Sequence, residues 1–203
     1  FADDLPSLGD ASSAIVSPQQ EYQLGRAWLA MLRSQVAQLN DPQLKDYVES
    51  SVYKLVETSQ VTDRRLEFIL INSPQLNAFA APGGVVGVNG GLFLNAQTEG
   101  EYASVLAHEL AHLSQRHFAR GVEASQRMQV PMMAALLAGI VIAAAGGGDA
   151  GIATIAGSQA AAIQSQRTFS RQNEQEADRI GILNLEKAGY DPRSMPTMFE
   201  RLM

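Results

Sequence analysis

The residues of this chain best suited to chemistry are His108, Glu109 and His112, inside the stretch EYASVLAHELAHLSQRH. No Gly or Pro interrupts that stretch, and Ala, Leu and Glu favour helix, so it is predicted as one. Residues four apart share a helical face, which sets the two imidazoles one turn apart. Two imidazoles so placed can grip one Zn²⁺, and the carboxylate of Glu109 beside them can reach a water activated by that ion. The chain has three histidines in all, and two of them are in this motif. A catalytic zinc needs a third protein ligand and an open position. His117 falls five residues after His112, whereas the HExxHxxGxxH pattern needs six and a Gly; here Gln115 and Phe118 occupy those two places. The better source lies downstream, in SRQNEQEADRIGILNLEKAGY, predicted as a helix with Asn173 to Asp178 in its N-terminal part. Glu174 and Asp178 share a face there. Glu174 can ligate zinc, and Asp178 can accept a hydrogen bond from a ligating imidazole and fix its tautomer. The plainer alternative is a solvated acidic face, on which Glu176 and Glu186 are ordinary surface charge.

These side chains need a frame, and the rest of the sequence predicts an α+β one: mostly helical, with a small antiparallel sheet upstream of the HExxH helix. Residues 1–17 are polar and turn-rich, an N-terminal arm. Residues 18–203 form the domain, and 203 residues suffice for one sizeable core. Ser17 caps a first helix over 18–39, whose Leu24, Trp28, Met31 and Leu32 form an apolar stripe directed at the core. Asp41 caps a second over 42–58. Strands follow at 66–71, 77–80 and 85–88, with Pro82-Gly83-Gly84 turning the second into the third. Asn77, Ala78 and Phe79 are candidates for an exposed edge on which a peptide substrate adds as a strand; a plain hairpin under the helices is the alternative.

Between the two chemical motifs lies an uncharged Ala-rich region, about 128–166, interrupted only by Asp149. Pro131 and the Gly146-Gly147-Gly148 run cut its first apolar segment to roughly 15 residues, short of the ~20 that span a bilayer. Gln159 and Gln164 interrupt the second segment. Two helices joined by a glycine turn and packed on the domain are expected, with peripheral membrane contact as the alternative. Asp191-Pro192 opens a last helix over 193–203. The net charge of −6 and the absence of a basic stripe argue against nucleic acid as a partner. The lack of cysteine is compatible with a periplasmic setting, and Phe1 in place of Met fits a removed signal peptide.

HELAH followed by NEQEAD resembles the gluzincin metallopeptidases, whose third ligand is the Glu of an NExx(S/A)D-type motif. SRQNEQEADRIG and the wide spacing from His112 to Glu174 resemble the branch that contains the HtpX-like and CAAX-prenyl-type endopeptidases. The likeness runs from about Pro18 to Met203, through NAFAAPGGVVGVNGGLF before the zinc helix and GYDPRSMPTMFERL after the ligand helix. It implies one zinc per chain on His108, His112 and Glu174, with Glu109 as the catalytic base of an endopeptidase. It further implies the periplasm of a Gram-negative bacterium, with unfolded or stalled outer-membrane proteins as substrates. A β-barrel assembly machinery is the implied partner, reached through a C-terminal tetratricopeptide-repeat region. A His-Pro loop ahead of that region is implied to close the open zinc position. This sequence stops before either, as a single domain or a shortened form would. No residue is assigned to stabilise the oxyanion; His117 and Tyr190 are nominal candidates. A rival function is a chaperone-like binding module with a structural zinc, for which Glu109 would have no use.

Overall fold

A computed structural model describes residues 16–144 and 148–202. The predicted arm lies almost wholly outside the described residues, as do Gly146 and Gly147 of the expected glycine turn. The chain divides into two compact units. Of the described residues, the larger comprises 16–118 with 175–202, and the other comprises 119–144 with 148–174.

In the larger unit, α1 (Pro18–Gln35) starts at a capping box: Ser17 Oγ accepts from the Gln20 N–H, and Gln20 Oε1 accepts from the Ser17 N–H. It ends short of the predicted Leu39, because the next residues are drawn onto the edge of β1 (Glu67–Ile71). The Leu39 N–H donates to Leu70 O and the Asn72 N–H to Ala37 O. The expected stripe is also rotated. Leu29 is buried, and Trp28 and Leu32 pack beside it, while Leu24 and Met31 are about half exposed. Helix α2 (Pro42–Thr58) begins as predicted, with Asp41 Oδ1 accepting from the N–H groups of Gln43 and Leu44.

The sheet is mixed, not antiparallel throughout. Strand β2 (Ala78–Ala81) pairs antiparallel with β3 (Val85–Asn89), which pairs parallel with β1, giving the order β1-β3-β2. All five residues of β3 are buried, as its Val-rich run requires of a central strand. Gly83 and Gly84 close the β2–β3 turn with φ of 74° and 77°, a conformation that disfavours any residue with a Cβ. With that hairpin on one side of β3, only the other side is left for β1, and the chain direction there makes the pair parallel.

A short α3 (Gly90–Asn95) leads to α4 (Glu99–Ser114), the helix predicted around HELAH. Thr98 Oγ1 caps it by accepting from the Glu101 N–H, and Glu99 and Glu101 place negative charge at its positive end. Glu101 is buried. Its carboxylate takes both terminal nitrogens of Arg201 at 2.8 Å, tying α4 to α7 (Ser194–Leu202). The main core forms from α2, the sheet, α4, α7 and the end of α6, with Leu55, Val88, Leu106, Leu110, Leu185 and Met198 fully enclosed.

The other unit is helical in its described part. It holds most of α5 (His117–Ala144) and the first two-thirds of α6 (Gly148–Lys187). Both predicted apolar segments are therefore helical, and α5 continues through Pro131. Asn173 to Asp178 lie in the second half of a 40-residue helix rather than at the start of a separate one. Ala, Ser and Gln upstream provide no stop signal. Among the described residues, no helix is long and apolar enough to cross a membrane.

Candidate metal centre

His108 and His112 stand on one face of α4 as their spacing requires. Their Nε2 atoms are 3.1 Å apart, with the rings at 68°. Two nitrogens each about 2.0–2.1 Å from a tetrahedral ion would be about 3.3–3.4 Å apart, so the pair is spaced as two ligands of one metal. Glu174, the residue of α6 at which the two units divide, offers the third atom: one atom from each of His108, His112 and Glu174 lies within 4.8 Å of the others. Two imidazoles and a carboxylate form a donor set that suits zinc. The last turn of α4, where His112 sits, also carries the negative end of the helix dipole, which favours a cation.

A carboxylate also stands behind one of the two rings. Asp178 Oδ1 lies 2.9 Å from His108 Nδ1. The contact is an ion-pair distance without the alignment of a hydrogen bond; an ionised carboxylate there can only accept, which favours the proton of a neutral His108 on Nδ1. Gly181, one turn after Asp178, is what lets α6 come so close. A Cβ there would stand 3.1 Å from the backbone N and Cα of His108 and 3.0 Å from Met195 Cε. Asp178 thus lies beside His108, one of the two candidate ligands.

Glu109 points to the sheet. Its Oε2 accepts from the Ala80 N–H at 3.1 Å. Strand β2 is an edge strand of the sheet, and the bond to Glu109 turns the Ala80 N–H away from β3. Of the three predicted edge residues, Ala78 lies within β2, while Asn77 precedes it and its C=O accepts from the Asn89 N–H. The Phe79 ring is used for packing, edge-on to Trp28 at 5.6 Å. Ala80, which the sequence reading did not single out, is the residue that meets the carboxylate. The NAFA alternation offers a signal for it: the residue after Phe79 must face its backbone away from the partner strand.

The two nominal oxyanion candidates differ in where they lie. The Tyr190 hydroxyl donates to Glu99 at the start of α4, about 13 Å along the helix from His108 at 1.5 Å per residue. His117 does not continue the zinc helix, contrary to the sequence reading. Helix α4 stops at Ser114, and Arg116 adopts a left-handed conformation with φ of 51°. Its side chain is fixed there by Glu21 Oε2, 3.0 Å from Nε, and by the Val16 carbonyl, 2.7 Å from a terminal nitrogen. The turn returns His117 to the site. Its Nδ1 is 2.8 Å from His112 Nδ1, and its Nε2 is 3.2 Å from Glu176 Oε2. On a continuous helix the two histidines would point about 140° apart, at 100° per residue.

Residues 42–203 match the model of Peptidase family M48. This chain belongs to that family. It is 42% identical over 199 residues to a putative beta-barrel assembly-enhancing protease of Vibrio cholerae, covering 98% of this chain and 41% of the relative. With the beta-barrel assembly-enhancing protease of Escherichia coli it shares 39% identity over 202 residues, which is 100% of this chain and 41% of the relative. A mitochondrial metalloendopeptidase of Arabidopsis thaliana is 33% identical over 148 residues, 71% of this chain and 27% of the relative. The chain thus spans about two-fifths of the length of the first two relatives. The sequence motifs and this family membership agree.

Proposed function

We propose that residues 18–203 act as a zinc-dependent endopeptidase domain, with His108, His112 and Glu174 as the metal ligands and Glu109 as the general base. The observation that carries this reading is the pair of imidazole Nε2 atoms, 3.1 Å apart, with a Glu174 oxygen in reach of both. When bound, a zinc ion acts as a Lewis acid toward water and toward the scissile carbonyl. The chain's own residues do the rest. Asp178, 2.9 Å from His108 Nδ1, favours the proton there. Glu109, within hydrogen-bond reach of edge strand β2, takes a proton from the attacking water on its carboxylate and returns it to the leaving amine nitrogen. A substrate strand laid along β2, beside Asn77, Ala78 and Phe79, would bring its backbone to that same carboxylate.

The names of two relatives support a setting in β-barrel assembly, and the reading proposed here places the chain in the periplasm. Unfolded or stalled outer-membrane proteins would be the substrates, and the β-barrel assembly machinery the partner. Metal analysis paired with casein degradation tests the enzymatic reading. Wild type should carry one zinc and degrade casein. Glu109→Gln should keep the fold and the zinc but lose at least ~10²-fold in rate. Unchanged turnover in Glu109→Gln would favour a binding module instead.

A further inference from the structure

The two ligating histidines are backed differently. His108 Nδ1 faces the Asp178 carboxylate directly, at 2.9 Å. His112 Nδ1 faces a second imidazole, His117 Nδ1, at 2.8 Å, and that imidazole faces the Glu176 carboxylate at 3.2 Å. His117 is buried and the Glu176 side chain is 26% exposed. We propose that Glu176 and His117 are positioning residues for the metal centre, a carboxylate–imidazole relay that fixes the tautomer and ring orientation of His112. This inference rests on the zinc reading given above.

The argument is one of donors and acceptors. An ionised Glu176 can only accept, so His117 donates to it from Nε2–H. A neutral imidazole has one N–H, so His117 Nδ1 is then an acceptor. The group opposite it, His112 Nδ1, must therefore be the donor. With its single proton on Nδ1, His112 presents a bare lone pair at Nε2, and Nε2 is the atom 3.1 Å from His108 Nε2. Asp178, 2.9 Å from His108 Nδ1, favours the same tautomer on His108 from the other side. Two lone pairs facing each other at that distance repel unless a cation lies between them, so both relays prepare one metal site. The position of His117 is built by the chain rather than by helical spacing. The left-handed Arg116 returns His117 toward His112, and Glu21 and the Val16 carbonyl hold Arg116 there. Partners of this kind typically change metal affinity or activity by 10- to 100-fold.

The test uses the 203-residue chain and reads zinc affinity, by competition with a chromogenic chelator, together with the visible spectrum of the cobalt(II) form. His117→Leu removes the acceptor and should weaken zinc about 10- to 100-fold and shift the cobalt bands. His117→Asn carries an amide oxygen near the Nδ1 position and should recover most of the loss. Glu176→Gln changes a partly exposed residue and should fold normally; it should weaken zinc about 10-fold, because an amide no longer dictates which imidazole nitrogen carries the proton. Thermal unfolding of the metal-free proteins separates positioning from folding. A fall in affinity with an unchanged apo midpoint supports the relay. Wild-type affinity and cobalt spectrum in both His117→Leu and Glu176→Gln would overturn it, as would no rescue by His117→Asn with an unaltered Glu176→Gln. If wild type bound no zinc, or His112→Ala bound it fully, the metal reading itself would fall, which is a distinct result.

Discussion

Over its sixteen residues α4 buries ten, on every side, whereas α6 between Asn173 and Leu185 buries five of thirteen: Asn173, Ala177, Gly181, Asn184 and Leu185. Both helices bring polar groups to the candidate centre, but under different constraints. Enclosed over most of its length, α4 sets by helical spacing where its two histidines leave the backbone, because a helix packed all round has no freedom to roll. The exposed face of α6 leaves its register open. Glu174 and Asp178 border the buried stripe, and where they end up depends on how that stripe seats, with Gly181 against the backbone of His108. Ligand spacing inside one enclosed helix is thus a local property, and ligand placement from an exposed helix is a packing property.

Substitutions along α6 give the largest expected break in that comparison. Glu174→Ala leaves two protein ligands, fewer than the three of a catalytic zinc site, and should abolish stoichiometric zinc. Asp178→Ala should retain zinc with about 10- to 100-fold weaker affinity and regain part of its activity when zinc is added. Zinc titration of the two purified variants separates the roles; a dead Asp178→Ala with a rescuable Glu174→Ala would reverse them.

Gly181→Ala sharpens the packing half of the comparison. Alanine favours helix by about 1 kcal/mol over glycine, but its Cβ crowds the His108 backbone, and overpacking of this kind costs about 1–3 kcal/mol. A net loss of about 1 kcal/mol is expected in urea unfolding, together with weaker zinc binding as α6 is pushed from His108. A gain in both would show that the close approach is not needed.

On α4, Thr98→Ala removes the side-chain acceptor of the Glu101 N–H and should cost about 1 kcal/mol in urea unfolding. Zinc affinity should stay near wild type, since the cap is at the far end of the helix from His112. A large fall in affinity would mean that α4 is less rigid than its burial implies.

The smallest effect concerns the entry to α7. Asp191 lies below the usual carboxylate range because the Arg193 side chain and N–H donate to it. Its pKa is lower folded than unfolded, so its contribution is present above the unfolded value, near 4, and is lost as the pH falls through the folded one. Asp191→Asn should lower the melting temperature slightly at pH 7, with the difference closing in acid. A pH-independent difference would point to shape rather than charge.

Much of this arrangement is written locally. The caps at Ser17, Asp41 and Thr98, the Gly83-Gly84 turn and the HELAH face each depend on neighbours within about four residues, which is the range over which helix and turn chemistry acts. So the mostly helical α+β class and the small sheet ahead of the HExxH helix are legible from residue types and spacing. The rest needed the folded chain. Whether β1 runs parallel or antiparallel depends on which side of β3 the Gly83-Gly84 hairpin leaves free. Ala80 reaches Glu109 only because β2 lies at the edge of the sheet next to α4. His117 is only a nominal oxyanion candidate in the sequence, where five residues on a continuous helix would carry it to another face than His112. The left-handed turn at Arg116 is held by Glu21, 95 positions away in the chain, and no local pattern announces a contact of that kind.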